Sequence, residues 1–270
     1  MLERTARTLV KNYFHHDVSR SGAALAYYLL FTLFPLLIFI SSLLGLLELD
    51  VASIIQALSA ILPRDVVELL GMYLDYVSAT SSSSMLWFSL VFSIYFPMRA
   101  AKCLMDSVRR AYHLKKPRHP VAYVLRQLLF TVVLLVVIAL SLALSTLGQR
   151  VVGFFTELLP VSDLLLEAWH YLRFLLLAVI MFASLGTLYA ISQDQRQPVS
   201  AILPGTLAAL VGWLAVSMAF SFYVENIARY SIIYGALGAV IVLLIWLYLT
   251  SVILILGAEL NAALRTARER

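Results

Sequence analysis

The stretch MLWFSLVFSIYFPMRAAKCL, residues 85–104, decides how this chain is built. Up to Met98 it is almost wholly apolar, but that part alone is too short for a hydrocarbon core of ~30 Å, which takes about 20 helical residues. Pro97 then removes a helical hydrogen bond, and Arg99 and Lys102 bring charge where lipid makes charge costly. Read as a loop, the stretch leaves five hydrophobic runs in the chain; read as a helix that continues with a polar face, or enters and kinks, it makes six.

Outward from it, the other apolar runs lie at 22–47, 123–147, 171–191, 199–224 and 235–260. The distribution of cations chooses between five and six. If 85–104 crosses, 16 of the 20 Lys and Arg fall on one side: the positions up to Arg20, the segment Arg99 to Arg126, then Arg196 and the C-terminal arginines. Only Arg64, Arg150, Arg173 and Arg229 fall on the other. An excess of Lys and Arg marks cytoplasmic loops. The expectation is therefore an all-α integral membrane protein, a bundle of six transmembrane helices forming one membrane domain over 1–270, with both termini cytoplasmic. A composition of 62% hydrophobic and 13% charged residues agrees, since ordinary soluble domains carry about 25% charged residues.

Between the first two runs, residues 51–77 repeat apolar positions at helical spacing, broken at Pro63 and studded with Asp65, Glu68 and Asp75. This predicts two short amphipathic helices at the outer interface, and 150–170 reads as a second interfacial segment. The basic N-terminal segment precedes the first apolar run without the pattern of a cleavable signal, so the first helix is expected to stay in the mature protein.

A net charge of +5 does not point to nucleic acid, because the cations alternate with hydrophobic runs instead of forming a patch with exposed aromatics. Cys103, the one cysteine, excludes an intrachain disulfide and a multi-cysteine metal site, and reads as a packing residue. His15 and His16 point to different helix faces, and His113, His119 and His170 lie apart, so no pair has the spacing of metal ligands; solvated interfacial histidines are expected. No phosphate loop, dinucleotide fingerprint or nucleophile elbow is present. A non-enzyme without cofactor or metal is the expectation.

Polar groups inside the runs are the candidates for function. Arg99 and Lys102 lie one turn apart, with Asp106 placed at i, i+4 to pair with Lys102; they are either a cationic site for an anionic headgroup or a snorkelling pair. Glu259 and Asn261 close the last run, where Glu259 would pair with a cation of the long basic loop or hold a proton. Tyr27 and Tyr28 line the first run ahead of Pro35, a proline that frees a carbonyl around Phe31. Pro35, Pro97, Pro204, Gly205, Gly235 and Gly238 are hinge candidates.

Several stretches together then carry a resemblance: AALAYY at 23–28 leading to LFPLL at 33–37, Pro204-Gly205, YGALG at 234–238, LIWLY at 244–248 and LGAELN at 256–261. In this order, over nearly the whole chain, they resemble the YihY/BrkB family of bacterial inner-membrane proteins. The resemblance implies six spans in the inner membrane and a proposed role in moving lipid or envelope precursors. It also implies that the old ribonuclease BN label of the family is a misassignment. Two function classes follow: a transporter or translocation aid for an amphipathic anionic envelope lipid, with Arg99, Lys102 and Glu259 as binding residues lined by Tyr27, Tyr28 and Asn261; or a non-transporting scaffold acting through the basic loop. Membrane lipids are the expected partners, nucleic acid is not, and small residues four apart, such as Gly22 and Ala26, suit close packing within the chain or with a second copy.

Overall fold

The computed structural model describes residues 2–46, 55, 59, 64–79, 83–115, 119–135, 163–193, 198–226 and 236–268, and among these the regular structure is helical, with no strand. In chain order the helices are α1 (Leu2–His15), α2 (Val18–Leu46), α3 (Arg64–Ala79), α4 (Ser83–Ala111), α5 (Pro120–Leu135), α6 (Asp163–Ile191), α7 (Val199–Asn226) and α8 (Ala236–Arg268). Four contain stretches long and apolar enough to cross a membrane: Val18–Phe39, Trp87–Ala111, Val199–Val224 and Leu237–Ala267. The runs at 123–147 and 171–191 correspond to the shorter apolar helices Pro120–Leu135 and Ala178–Ile191, and residues 136–147 lie outside the described part.

The stretch at 85–104 is unbroken helix, and α4 carries it on to Ala111. Pro97 sits buried inside α4 without ending it. The lost hydrogen bond is offset by packing, because α4 lies along α2 in one of the two most extensive helix contacts of the molecule. Hydroxyls within the helices satisfy themselves in the same economical way: Ser107, Ser192, Thr206 and Ser251 each donate to the carbonyl four residues back. A hydroxyl bonded to its own helix does not need water.

Each long helix has a face turned outward that is apolar. On α7, Leu203, Leu207, Val211, Leu214, Met218 and Phe222 recur at spacings of three and four and are all exposed. In water such a stripe would be a liability; against lipid it is the ordinary outer surface of a bundle. The inner face of α7 carries Ile202, Gly205, Thr206 and Ala209 and packs on α8. The core divides into two clusters. One joins Val18, Leu104, Met105, Tyr189, Ile202 and Ala258; the other joins Leu37, Val66, Leu70, Phe220, Val242 and Leu243. In the second, α3 buries Val66 and Leu70 against α2 and α8, so its apolar face is spent on the protein. The first of the two short helices expected over 51–77 falls almost wholly outside the described residues, and the last part of 150–170 is the opening of α6, a helix of 29 residues.

The tightest joint is between α7 and α8. A Cβ on Gly205 would collide with the Gly257 carbonyl oxygen and the Asn261 amide, and one on Gly257 would stand 2.7 Å from Ala209 Cβ and from the Tyr189 hydroxyl. Gly205, expected as a hinge, is thus a point of backbone contact inside a continuous helix. The helices also run without a break through Pro35 and Pro204; Gly238 is a buried residue of α8, and Gly235 lies outside the described residues. Small residues at such crossings let backbones approach, which is how helices adhere where no hydrophobic effect separates them from solvent.

Overpacking of this joint gives a direct test. Gly205→Ala is expected to lower stability by about 1–3 kcal/mol, the usual cost of forcing a methyl group into a filled site. Gly186→Ala, whose Cβ would meet Thr206 at an ordinary 3.8 Å, serves as control and should leave the thermal unfolding midpoint in detergent unchanged. Equal midpoints for the two variants would remove the contact from the account.

Candidate functional site

Four polar constellations sit in this frame, and they differ in how well their charges are matched. The first is built on Glu259, 1% exposed near the C-terminal end of α8. Oε2 accepts a hydrogen bond from Asn12 Nδ2 at 3.0 Å, and Oε1 lies 2.7 Å from His16 Nδ1. Both partners belong to the N-terminal segment, which packs on α8. The expectation that Glu259 pairs with the long basic loop is therefore corrected: its partner is His16. The reason is reach, since α1 lies directly on α8 and brings its donors to the carboxylate. His16 is not the solvated histidine expected either, and its ring meets that of His113 with centroids 5.1 Å apart.

The second is Asn261, two residues on, where Oδ1 accepts from the Gly205 backbone N–H at 2.6 Å and Nδ2 donates to the Ile202 carbonyl at 2.8 Å. The amide spans one turn of α7 and locks the joint described above. It holds helices together and does not line a cavity with Tyr27 and Tyr28.

The third is Arg109, 4% exposed at the end of α4, which sequence reasoning counted only as one cation of a loop. Its guanidinium donates to the Ser192 carbonyl at 3.0 Å and to the Lys115 carbonyl, and lies 5.5 Å from the centre of the Tyr123 ring. Ser192 follows the last turn of α6, where the helix dipole favours a cation, and Lys115 lies in the segment leaving α4, so Arg109 ties the end of one helix to the chain that follows the other. Asp106, expected to pair with Lys102, instead accepts from the Tyr123 hydroxyl at 2.8 Å, and the two make no ion pair. The i, i+4 spacing alone would permit the pair, but Tyr123 of α5 supplies the carboxylate's hydrogen bond. Nearby, burial pushes the Tyr112 phenol up to about 12, against the lowering effects of Gln193 and Arg265, and so keeps it neutral.

The fourth is Arg99. It lies midway along the span Trp87–Ala111, with Nη2 donating to the Tyr28 hydroxyl at 3.3 Å and the guanidinium 5.4 Å from the centre of that ring. Among the described residues no carboxylate is within ion-pair distance. From Tyr28 a chain of aromatic contacts leads away: Tyr27 at 5.5 Å, Phe31 at 4.6 Å from Tyr27, Phe96 at 5.5 Å from Phe31, then Phe92 and Phe88. Tyr27, Phe31 and Phe88 are exposed on the outside of the bundle. The sequence-predicted residues thus separate: Arg99, Tyr28 and Tyr27 come together with Lys102 one turn away, while Glu259 and Asn261 lie at the end of the bundle, roughly 15 Å back along α2. No group of three or more His, Cys, Asp or Glu close enough to hold a metal ion occurs among the described residues.

Glu259 gives the second test. Glu259→Ala leaves the Asn12 amide and His16 without their acceptor, and is expected to cost about 1–3 kcal/mol and to speed hydrogen exchange in α1, while Glu259→Gln keeps an acceptor oxygen and loses less. Unaltered exchange over α1 in Glu259→Ala would show that the helix is held by other means.

A family model described as "Virulence factor BrkB" matches residues 9–270. The ribonuclease-like protein YfkH of Bacillus subtilis is 27% identical over 263 residues, covering 97% of this chain and 96% of that protein. A UPF0761 membrane protein of Alkalilimnicola ehrlichii is 42% identical over 103 residues, 37% of this chain and 23% of its own length. Another, from Pseudoalteromonas translucida, is 32% identical over 77 residues, 28% of this chain and 26% of that one. No solved structure matches the chain.

Proposed function

The chain belongs to the BrkB (YihY) family of membrane proteins, and on that premise we propose that it assists the translocation of an amphipathic anionic lipid across the bacterial inner membrane, without enzymatic chemistry. The observation that carries this reading is Arg99. A guanidinium in mid-membrane is costly and is kept where it faces protein, water or an anion. Arg99 has one neutral hydrogen-bond partner and one ring face, which leaves most of its donors for a ligand. A phosphate accepts from that planar fork in pairs. The aromatic contacts through Tyr27, Phe31 and Phe96 offer the apolar half of an amphipath a path beside the charge.

In this reading the chain crosses six times, with both termini in the cytoplasm and α3 at the outer face. The 16-to-4 partition of Lys and Arg supports it. So does the docking of α1 beside Glu259 of α8, which brings the two ends of the chain to the same end of the bundle, as an even number of crossings requires. A ribonuclease reading would rest on a relative's name, with no metal-holding group among the described residues to support it.

Native mass spectrometry from mild detergent, paired with transfer of a labelled anionic phospholipid between the leaflets of proteoliposomes, tests the proposal. Arg99→Gln is expected to lower lipid retention and transfer about tenfold, the equivalent of ~1.4 kcal/mol, and Tyr28→Phe less. Wild-type transfer no faster than in empty vesicles, with only bulk lipid retained by both proteins, would replace it with the scaffold reading.

A further inference from the structure

The N-terminal helix leaves apolar residues open while it turns polar ones, beside Leu9 and Tyr13, toward the protein. A helix docked on a protein in water puts its apolar stripe on the protein and its polar face outward. At 100° per residue Thr5, Asn12 and His16 fall within about 40° of one another, and Phe14 lies roughly 180° away. The structure puts the polar set inward: Thr5 is 7% exposed, and Asn12 and His16 bond to Glu259. The opposite face is left open, with Val10 59% and Phe14 73% exposed. Ala6, Val10 and Phe14 form one continuous surface with Arg7 and Lys11, which flank the strip along a single side.

Two further observations say what covers it. Asp17 takes a positive φ of 50° between α1 and α2 and ends α1 where the first span begins, so α1 is a separate helix at the mouth of the bundle and not an extension of the span. Among the described side chains the surroundings are cationic: Arg7, Lys11, Arg20 and Arg110 are exposed, with the exposed acid Asp17 beside them, and the Glu259 carboxylate is already bonded to Asn12 and His16. An apolar strip edged with cations, at the level where a span leaves the hydrocarbon, has the chemistry of an in-plane membrane helix.

We propose that α1 is an interfacial anchor lying in the headgroup layer of the leaflet at the Glu259 end of the bundle, with Val10 and Phe14 in the acyl-chain boundary and Arg7 and Lys11 on anionic phospholipid headgroups. Its arrangement follows from having two partners of different kinds: a buried carboxylate that demands donors on one side, and lipid that demands hydrocarbon on the other. The anchor depends only on the membrane location of the chain and stands apart from any transport.

Spin labels on the full chain test it. Cys103→Ser gives a cysteine-free background, and labels at Val10→Cys, Phe14→Cys and, as an exposed control, His119→Cys are read in vesicles of phosphatidylcholine with phosphatidylglycerol. Labels at 10 and 14 are expected to favour oxygen over an aqueous nickel complex, at a depth of ~5–10 Å, while the control does the reverse. Substituting Arg7→Gln and Lys11→Gln together, or omitting phosphatidylglycerol, should bring both labels toward water. Labels at 10 and 14 as open to nickel as the control would overturn the proposal, and labels hidden from both agents would mean that a second copy or another protein covers the strip. Because labelled variants can misfold, hydrogen exchange over α1 of the unaltered chain is compared in nanodiscs with and without phosphatidylglycerol; slower exchange with the anionic lipid is expected, and equal exchange would refute recognition of its charge.

Discussion

The bundle depends on a place where two helix backbones touch. Gly205 of α7 and Gly257 of α8 meet with no side chain between them, and Asn261 bonds across the contact to the Gly205 N–H and the Ile202 carbonyl. In hydrocarbon the flanking lipid is as apolar as a leucine, so burial alone gives helices little reason to associate. Close packing and a hydrogen bond that lipid cannot supply do. Tyr189 joins the same point from α6, its hydroxyl donating to the Leu254 carbonyl, so three helices are fixed at one level. The aliphatic residues stacked above and below it add area to a geometry already set.

The charges sort according to the same solvent. Glu259 and Arg109 are almost fully buried, and each is met by groups that match it: donors from the N-terminal segment for the carboxylate, backbone carbonyls for the guanidinium. Each therefore strengthens the end of the bundle where the termini gather. Arg99 is the exception. It lies midway along Trp87–Ala111, partly exposed, with the hydroxyl and the ring of Tyr28 beside it. That contrast between buried, matched charges and a partly exposed cation with donors to spare separates residues that hold the fold from the residue put forward for function.

Much of this was legible in the sequence. The six apolar runs, the helical class and the resemblance to a membrane family follow from run length, composition and motifs in order, and the difficult stretch at 85–104 does form a helix. The partners of the polar residues were not legible. Asp106 could be matched to Lys102 by spacing on one helix, yet it bonds to Tyr123 of α5. Glu259, expected to pair with a cation of the basic loop or to hold a proton, bonds instead to Asn12 and His16, from the basic segment ahead of the first apolar run. Arg109 looked like any loop cation until α6 was seen to end beside it.

What the sequence determined by itself was the solvent: a chain with these runs and so few charges satisfies its backbone in helices and turns hydrocarbon outward, because each of those preferences is local and additive along the chain. The tertiary structure alone decided which polar atom meets which. Hydrogen bonds act over about 3 Å between residues as far apart as 12 and 259, and no periodicity records a contact made across three helices. The same limit hid the inward turn of Asn12 and His16, which face the protein because Glu259 is there to receive them.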